Sequence, residues 1–146
     1  MQKLILILVG IIFLLSNACT PKLKSTSSPA PLNDTLLIAQ NQSVQLLDGA
    51  LKISLQSVLE SRCPFNSACI RAGEAKANLE ITTDQKAVLQ LEVKGLCYER
   101  DGSCGEQKTL SNYRFQLLNI DPYPGKGNTA GAEKIARLVV QKIDQQ

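Results

Sequence analysis

The sequence predicts an all-β chain: an antiparallel β-sandwich of Ig-like size, with six to seven strands, behind an N-terminal leader and a flexible tether. Three observations lead there. From Leu36 onward apolar and polar residues alternate at period two; turn-forming residues interrupt that alternation at regular intervals; and four of the five cysteines fall into two close-spaced pairs. At 146 residues the chain holds about one domain, and a hydrophobic content of 44% is too high for a disordered tail.

Residues 1–18 read as a signal peptide. Lys3 gives a short positive start, and an apolar run follows from Leu4 to Leu15. As a helix rising ~1.5 Å per residue, that run spans about 18 Å, short of the ~30 Å hydrocarbon core, so a cleaved leader is expected in place of a permanent membrane span. Directly behind it, Ala18-Cys19 resembles the lipobox of bacterial lipoproteins, where a small residue precedes a cysteine that is lipid-modified and becomes the new N-terminus. The resemblance implies lipidation, palmitate included, at Cys19 and attachment to a membrane through that anchor. Thr20 does not match the aspartate that retains Gram-negative lipoproteins in the inner membrane. The tether also lacks the acidic run of surface-exported lipoproteins in Bacteroidetes-type bacteria. The implied address is therefore the outer membrane, facing the periplasm.

Residues 19–34 carry the lipid cysteine and then a stretch rich in proline, serine and threonine without a core pattern. Extended, such a tether reaches ~50 Å. At its end, Asp34-Thr35-Leu36 resembles the short Asp-Ser/Thr-aliphatic sequon for O-glycosylation in Bacteroidetes-type bacteria, which implies Thr35 as a modification site.

The sandwich is expected over residues 35–146. Val44 and Leu46 lead to Asp48-Gly49, a hairpin turn signal, and Leu51, Ile53 and Leu55 alternate after it. Ala75, Ala77, Leu79 and Ile81, the turn Thr83-Asp84-Gln85, then Ala87, Leu89, Leu91 and Val93 describe a hairpin with one buried and one wet face. Tyr113, Phe115 and Leu117 form another run, after which Leu118 and Ile120 take the opposite parity, the mark of a bulge or of a strand changing sheets. Residues 132–143 fit a strand through Ala136, Leu138 and Val140 and a helix through Ile135, Leu138 and Val139; β-branched content and the all-β context favour the strand.

Without Cys19, the cysteines are Cys63, Cys69, Cys97 and Cys104, an even number in a chain addressed to an oxidising compartment. Four cysteines allow three pairings. Cys63–Cys69 and Cys97–Cys104 are favoured because each closes a short, turn-rich loop. There is no Cys-x-x-Cys and no histidine, which argues against zinc and against a redox motif.

The most individual stretch is Glu60-Ser61-Arg62-Cys63-Pro64, followed four residues later by Cys69-Ile70-Arg71-Ala72-Gly73-Glu74-Ala75. It resembles the hallmark of a group of uncharacterised secreted proteins and lipoproteins of Bacteroidetes-type bacteria, with a (D/E)SRCPx4C(I/V)xAGxA motif and a tyrosine-bearing strand leading to Pro-Tyr-Pro, matched here by Tyr113 and Asp121-Pro122-Tyr123-Pro124. Glu60 stands where aspartate is usual and Arg71 where tryptophan is usual. The resemblance covers about residues 44–142 and implies a β-rich extracytoplasmic domain without supplying an activity.

Candidate binding side chains are Glu60, Arg62 and Glu74, as a cluster for an anion or peptide, and Tyr123, held on a proline-framed turn. For the cluster, a salt-bridged clasp is the preferred reading; for Tyr123, a cap on the sandwich edge. Tyr98 and Arg100 lie in the polar segment between Cys97 and Cys104, a projecting loop of the kind that protease inhibitors use, since pre-ordering lowers the cost of binding. Glu60 with Glu74 as a glycosidase pair is the weakest reading.

Function classes fall away on composition. No histidine means no Ser-His-Asp or Cys-His catalysis and no histidine-bound metal. A net charge of +3 is too small for a nucleic-acid footprint, and Gly125–Gly131 matches no nucleotide-binding loop. No catalytic residue, metal or cofactor is expected. The sequence leads to a lipid-anchored, non-enzymatic envelope protein that serves in binding, with an envelope protein or peptide as the partner, or as an accessory protein, with protease inhibition through residues 97–104 as the alternative and a histidine-free hydrolase behind both.

Overall fold

A computed structural model describes residues 32–96, 104–127 and 131–143. The leader, most of the tether with Cys19, and Cys97, Tyr98 and Arg100 lie outside the described residues. The chain forms two four-stranded antiparallel sheets packed as a sandwich. One sheet holds β2 (Ser43–Leu46), β3 (Leu51–Glu60), β4 (Glu74–Thr82) and β5 (Lys86–Lys94), in that order. The other has the order β1 (Thr35–Ala39), β8 (Ile135–Lys142), β7 (Tyr113–Asp121) and β6 (Gln107–Leu110). The all-β sandwich is as the sequence predicts. The eight strands among the described residues exceed the expected six to seven because β1 and β6 are short and β6, Gln-Lys-Thr-Leu, has no apolar alternation to betray it.

Alternation sets the core. Ala75, Ala77, Leu79 and Ile81 of β4 and Leu89, Leu91 and Val93 of β5 face inward, all buried, against Phe115, Leu117 and Ile120 of β7 and Ala136, Leu138 and Val140 of β8. Residues 132–143 therefore contribute a strand, the preferred of the two readings. The Thr83–Gln85 turn joins β4 to β5, and a 3-10 turn, Leu47–Gly49, joins β2 to β3, with Gly49 at φ 96°. Leu32 packs against the core and the Asn33 amide donates to the Val140 carbonyl, so contact with the sandwich begins before Thr35, which is exposed at the start of β1.

The two sheets are stitched along both sides. Between β1 and β2 the Asn41 amide reaches the Leu55 carbonyl at 2.7 Å, and Leu55 N–H donates to Gln42. On the other side, Glu106 N–H donates to the Glu92 carbonyl while the Glu106 carbonyl accepts from Leu117, so one residue touches both sheets. Gly105 permits that approach: a Cβ there would lie 1.6 Å from the Leu117 carbonyl oxygen.

Each sheet carries one bulge. In β7 the register shifts between Leu117 and Asn119, where the sequence parity changes. In β3 it shifts between Leu55 and Ser57. Beyond that point Val58 pairs with Ala77 and Glu60 with Ala75, whose side chains are both in the core, so the extra residue turns Val58 and Glu60 to the inner face and leaves Leu59 exposed.

The ends of the sandwich differ. Tight turns (47–50, 83–85 and 111–112) gather at the end where the N-terminal segment enters beside Val140. The strand ends that bear the long connections 61–73, 95–106 and 122–134 lie at the other.

Candidate functional site

At the long-loop end the last residues of β3 meet the last residues of β7. The Glu60 carboxylate, turned inward by the bulge, accepts from Arg62 three times: Nε to Oε1 at 2.8 Å, Nη2 to Oε2 at 2.6 Å, and the backbone N–H to Oε1 at 3.1 Å. Lys134 Nζ, entering from the residue before β8, adds a fourth donor at 2.9 Å and also donates to the Pro122 carbonyl at 2.8 Å. Arg62, with 3% of its surface exposed, sends two further donors to β7: Nη1 to Asn119 Oδ1 at 3.2 Å and Nη2 to the Ile120 carbonyl at 2.9 Å. Asn119 Oδ1 also accepts the Ile120 amide at 2.7 Å. The guanidinium lies over the Tyr123 ring, 4.6 Å from its centroid.

Tyr123 extends the set outward. It is buried; its hydroxyl donates to the Cys63 carbonyl at 2.9 Å and accepts the Leu96 amide at 3.1 Å. One phenol thus ties the disulfide loop, the exit of β5 and the β7–β8 connection together. The loop itself is closed by Cys63–Cys69, with Cα atoms 5.9 Å apart. Cys104 is disulfide-bonded, and the pairing expected for it involves Cys97, outside the described residues. The Phe65 amide donates to Pro124, and the Asp121–Pro122 peptide is cis. Asp121 forms an ion pair with Arg137 across β7 and β8.

Chemically the set is closed. A carboxylate offers about four lone-pair sites, and Glu60 receives four donors, so none is left for a substrate proton. Burial pushes the Glu60 pKa up, but the Arg62 hydrogen bond, then Lys134 and the two positive charges, outweigh it and hold the carboxyl below its usual range. No buried side-chain nitrogen or oxygen among the described residues lacks a hydrogen-bond partner. Glu60, Arg62 and Tyr123 are brought together; Glu74 stands apart. Its carboxylate pairs with Lys76 at 2.7 Å, which raises the lysine pKa, and its backbone exchanges hydrogen bonds with Ser61 Oγ. Lys134 and Asn119 complete the cluster without having been singled out in the sequence. Asn119 carried one signal, a polar residue between Leu118 and Ile120 in an apolar run; Lys134, beside a glycine-rich connection, carried none.

Two shallow hollows lie among the described residues. One of about 290 Å³ lies at the tight-turn end between Thr83, Asp84, Ser111 and Tyr113; one of about 200 Å³ lies between Leu59, Ser61, Glu74 and Lys76. Among the described residues no group of three or more cysteine, aspartate or glutamate side chains is gathered to hold a metal ion. Compared with known proteins, the chain matches no family model, no curated protein and no solved structure.

Proposed function

We propose that the chain is a lipid-anchored cell-envelope protein, attached through Cys19 to the outer membrane on its periplasmic side, whose sandwich works by recognition and not by catalysis. The observation that carries this reading is the polarity of the domain. The segment leading back to Cys19 enters at the tight-turn end, and the long loops, fixed to one another by the Glu60–Arg62–Tyr123 set, are gathered at the far end. Loops braced on a rigid scaffold are where binding residues concentrate. The chemically suggestive side chains of that end are occupied by one another, which favours a brace beneath a binding surface over a reaction centre.

The test is metabolic labelling with radiolabelled palmitate in the native host, with membrane fractionation. Label in the protein and none in Cys19→Ser, together with release of the variant from the outer-membrane fraction, is the expected result. Equal labelling of both proteins defeats the anchor. Protease inhibition through residues 97–104 is the second reading, favoured by the fixing of both flanks: Leu96 by Tyr123 and Cys104 by its disulfide. Its assay is a protease panel with Tyr98→Ala and Arg100→Ala, each expected to weaken inhibition at least tenfold; unchanged inhibition removes it.

A further inference from the structure

We infer that the loop end distal to the tether is a docking surface for an acidic, apolar-bearing segment of a partner protein, formed by Phe65, Ile70 and Leu96 with Arg71, Lys94 and Lys126. The inference rests on the anchored-recognition reading and names its surface and partner chemistry.

Contiguity of the six residues follows from the contacts between their loops. The Tyr123 hydroxyl joins Leu96 to Cys63, two residues from Phe65. Gly125, beside Lys126, packs on the Pro64–Phe65 backbone, where a Cβ would come within 3.0 Å. Gly95, between Lys94 and Leu96, donates to the Gly73 carbonyl at 2.8 Å and lies so close to Ala72 that a Cβ would meet its carbonyl oxygen at 1.9 Å, which brings β5's exit beside Arg71. The disulfide then carries Ile70 on the same loop as Phe65.

The surface is built to stay exposed. Ile70 is fully exposed, Phe65 is 47% and Leu96 55% exposed, and Leu96 is held in the left-handed region at φ 61°, an unfavourable place for a large side chain, by the hydrogen bond from its amide to Tyr123. Relaxing Leu96 would free that phenol from one partner, so the fold maintains the strained residue at its rim.

Charge selects the partner. Arg71, Lys94 and Lys126 make no ion pair among the described residues, whereas Glu60, Glu74 and Asp121 at the same end are all neutralised internally. Glu133, an exposed acid of these connections, adjoins Lys134, whose carbonyl accepts the Gln40 amide at the β1–β2 corner, away from the disulfide loop. Exposed apolar groups ringed by unpaired cations complement a segment that alternates acidic and apolar side chains. A membrane offers the same chemistry, but the tether enters at the opposite end, so the tight-turn end and not this surface lies nearest the point of attachment, and capture of lipid is an outcome of the test.

The experiment is photocrosslinking of the full chain in its native host, with p-benzoylphenylalanine in place of Ile70 and, as control, in place of Val88, which is exposed on the outer face of β5. The expected adduct forms from position 70 and not from 88. Its crosslinked peptide, sequenced by mass spectrometry, combines aspartate or glutamate with apolar residues. Arg71→Glu/Lys94→Glu and, independently, Lys126→Glu each cut the yield at least fivefold in protein whose circular dichroism and melting are unchanged. An adduct with lipid, with a second copy of this chain, or with a neutral or basic segment overturns the inference, as does equal yield from position 88, no adduct, or yield indifferent to charge reversal. Palmitate labelling is scored on the same cells, so a labelled protein without an adduct overturns the surface and leaves the anchor standing.

Discussion

Replacing Arg62 with methionine keeps an unbranched side chain that reaches about as far as Nε and removes every side-chain donor, leaving the backbone N–H on Glu60. Glu60, with 20% of its side chain exposed, loses two of its charge-assisted bonds, and the buried Ile120 carbonyl loses its guanidinium partner. Truncating one member of a buried pair costs ~3–5 kcal/mol, because the other charge is left unsatisfied. Here Glu60 keeps Lys134 at 2.9 Å and can rehydrate from its exposed side, and Asn119 keeps its bond to the Ile120 amide, so the lower end applies. At roughly 4 °C per kcal/mol for a domain of this size, about 3 kcal/mol lowers the melting temperature by about 12 °C. Urea and thermal unfolding followed by far-ultraviolet circular dichroism measure both. Arg62→Lys, which retains a point charge but not the planar fork, should fall between the two proteins. A double-mutant cycle with Glu60→Gln should return a coupling of ~1–3 kcal/mol. If Arg62→Met costs no more than the ~0.5 kcal/mol of an ordinary surface change, the clasp contributes nothing and the bracing argument fails.

Three further outcomes follow from the same contacts. The Glu60 carboxyl is held below its usual value of 4.5, so its contribution is fully present above that pH and is lost as the pH falls through the lowered value; acid unfolding of Glu60→Gln should show a weaker pH dependence below 4.5 than that of the parent, and identical profiles would refute this. Gly73→Ala places a Cβ 1.9 Å from the Ser61 carbonyl at φ 67° and should destabilise by more than ~2 kcal/mol in urea titration, whereas Gly127→Ala, also at positive φ but with nothing nearby, should cost only about 1 kcal/mol. Cys63→Ser/Cys69→Ser opens a loop with a sequence separation of 6, for which chain entropy gives about 2 kcal/mol; hydrogen exchange should quicken first at the Cys63 and Phe65 amides, and unchanged exchange there would show that the disulfide does not order the loop.

The fold was legible because its signal is local. Alternation in β4 and β5 needs only nine residues each to declare an inner and an outer face, and the parity change at Leu117–Leu118 announced the bulge of β7. The bulge of β3 was hidden: Leu55 to Val58 changes parity, but Leu59 preserves it, and either could have faced the core. That ambiguity matters, since the hidden bulge is what turns Glu60 inward. The clasp was legible in part. Glu60, Arg62 and Tyr123 stood out by their neighbours in sequence, but Lys134 is 74 residues from Glu60 and Asn119 is 57 from Arg62, separations across which one sequence carries no register.

Why an ionic brace sits at this end can be argued from what each end has available. At the tight-turn end, backbone pairing runs nearly to the turns, as at Leu46–Leu51 and Thr82–Lys86, and the chain needs no further fastening. At the long-loop end, strand pairing stops at Glu60, Glu74 and Asp121, and beyond it only scattered backbone bonds, such as Gly95 to Gly73 and Phe65 to Pro124, hold the connections, so side chains supply the rest of the fastening. An apolar plug would bury area but fix no geometry, and the aliphatic core has no tryptophan to reach outward. A guanidinium that fills a carboxylate, an amide oxygen and a backbone carbonyl at once admits one arrangement of β3 against β7, and a phenol bonded on both sides of its oxygen fixes the disulfide loop against β5. Buried ion pairs add little net stability over apolar packing, so the return on this one is positional: with Tyr123 it fixes the loops that carry Phe65 and Leu96 relative to one another, the property the proposed docking surface needs.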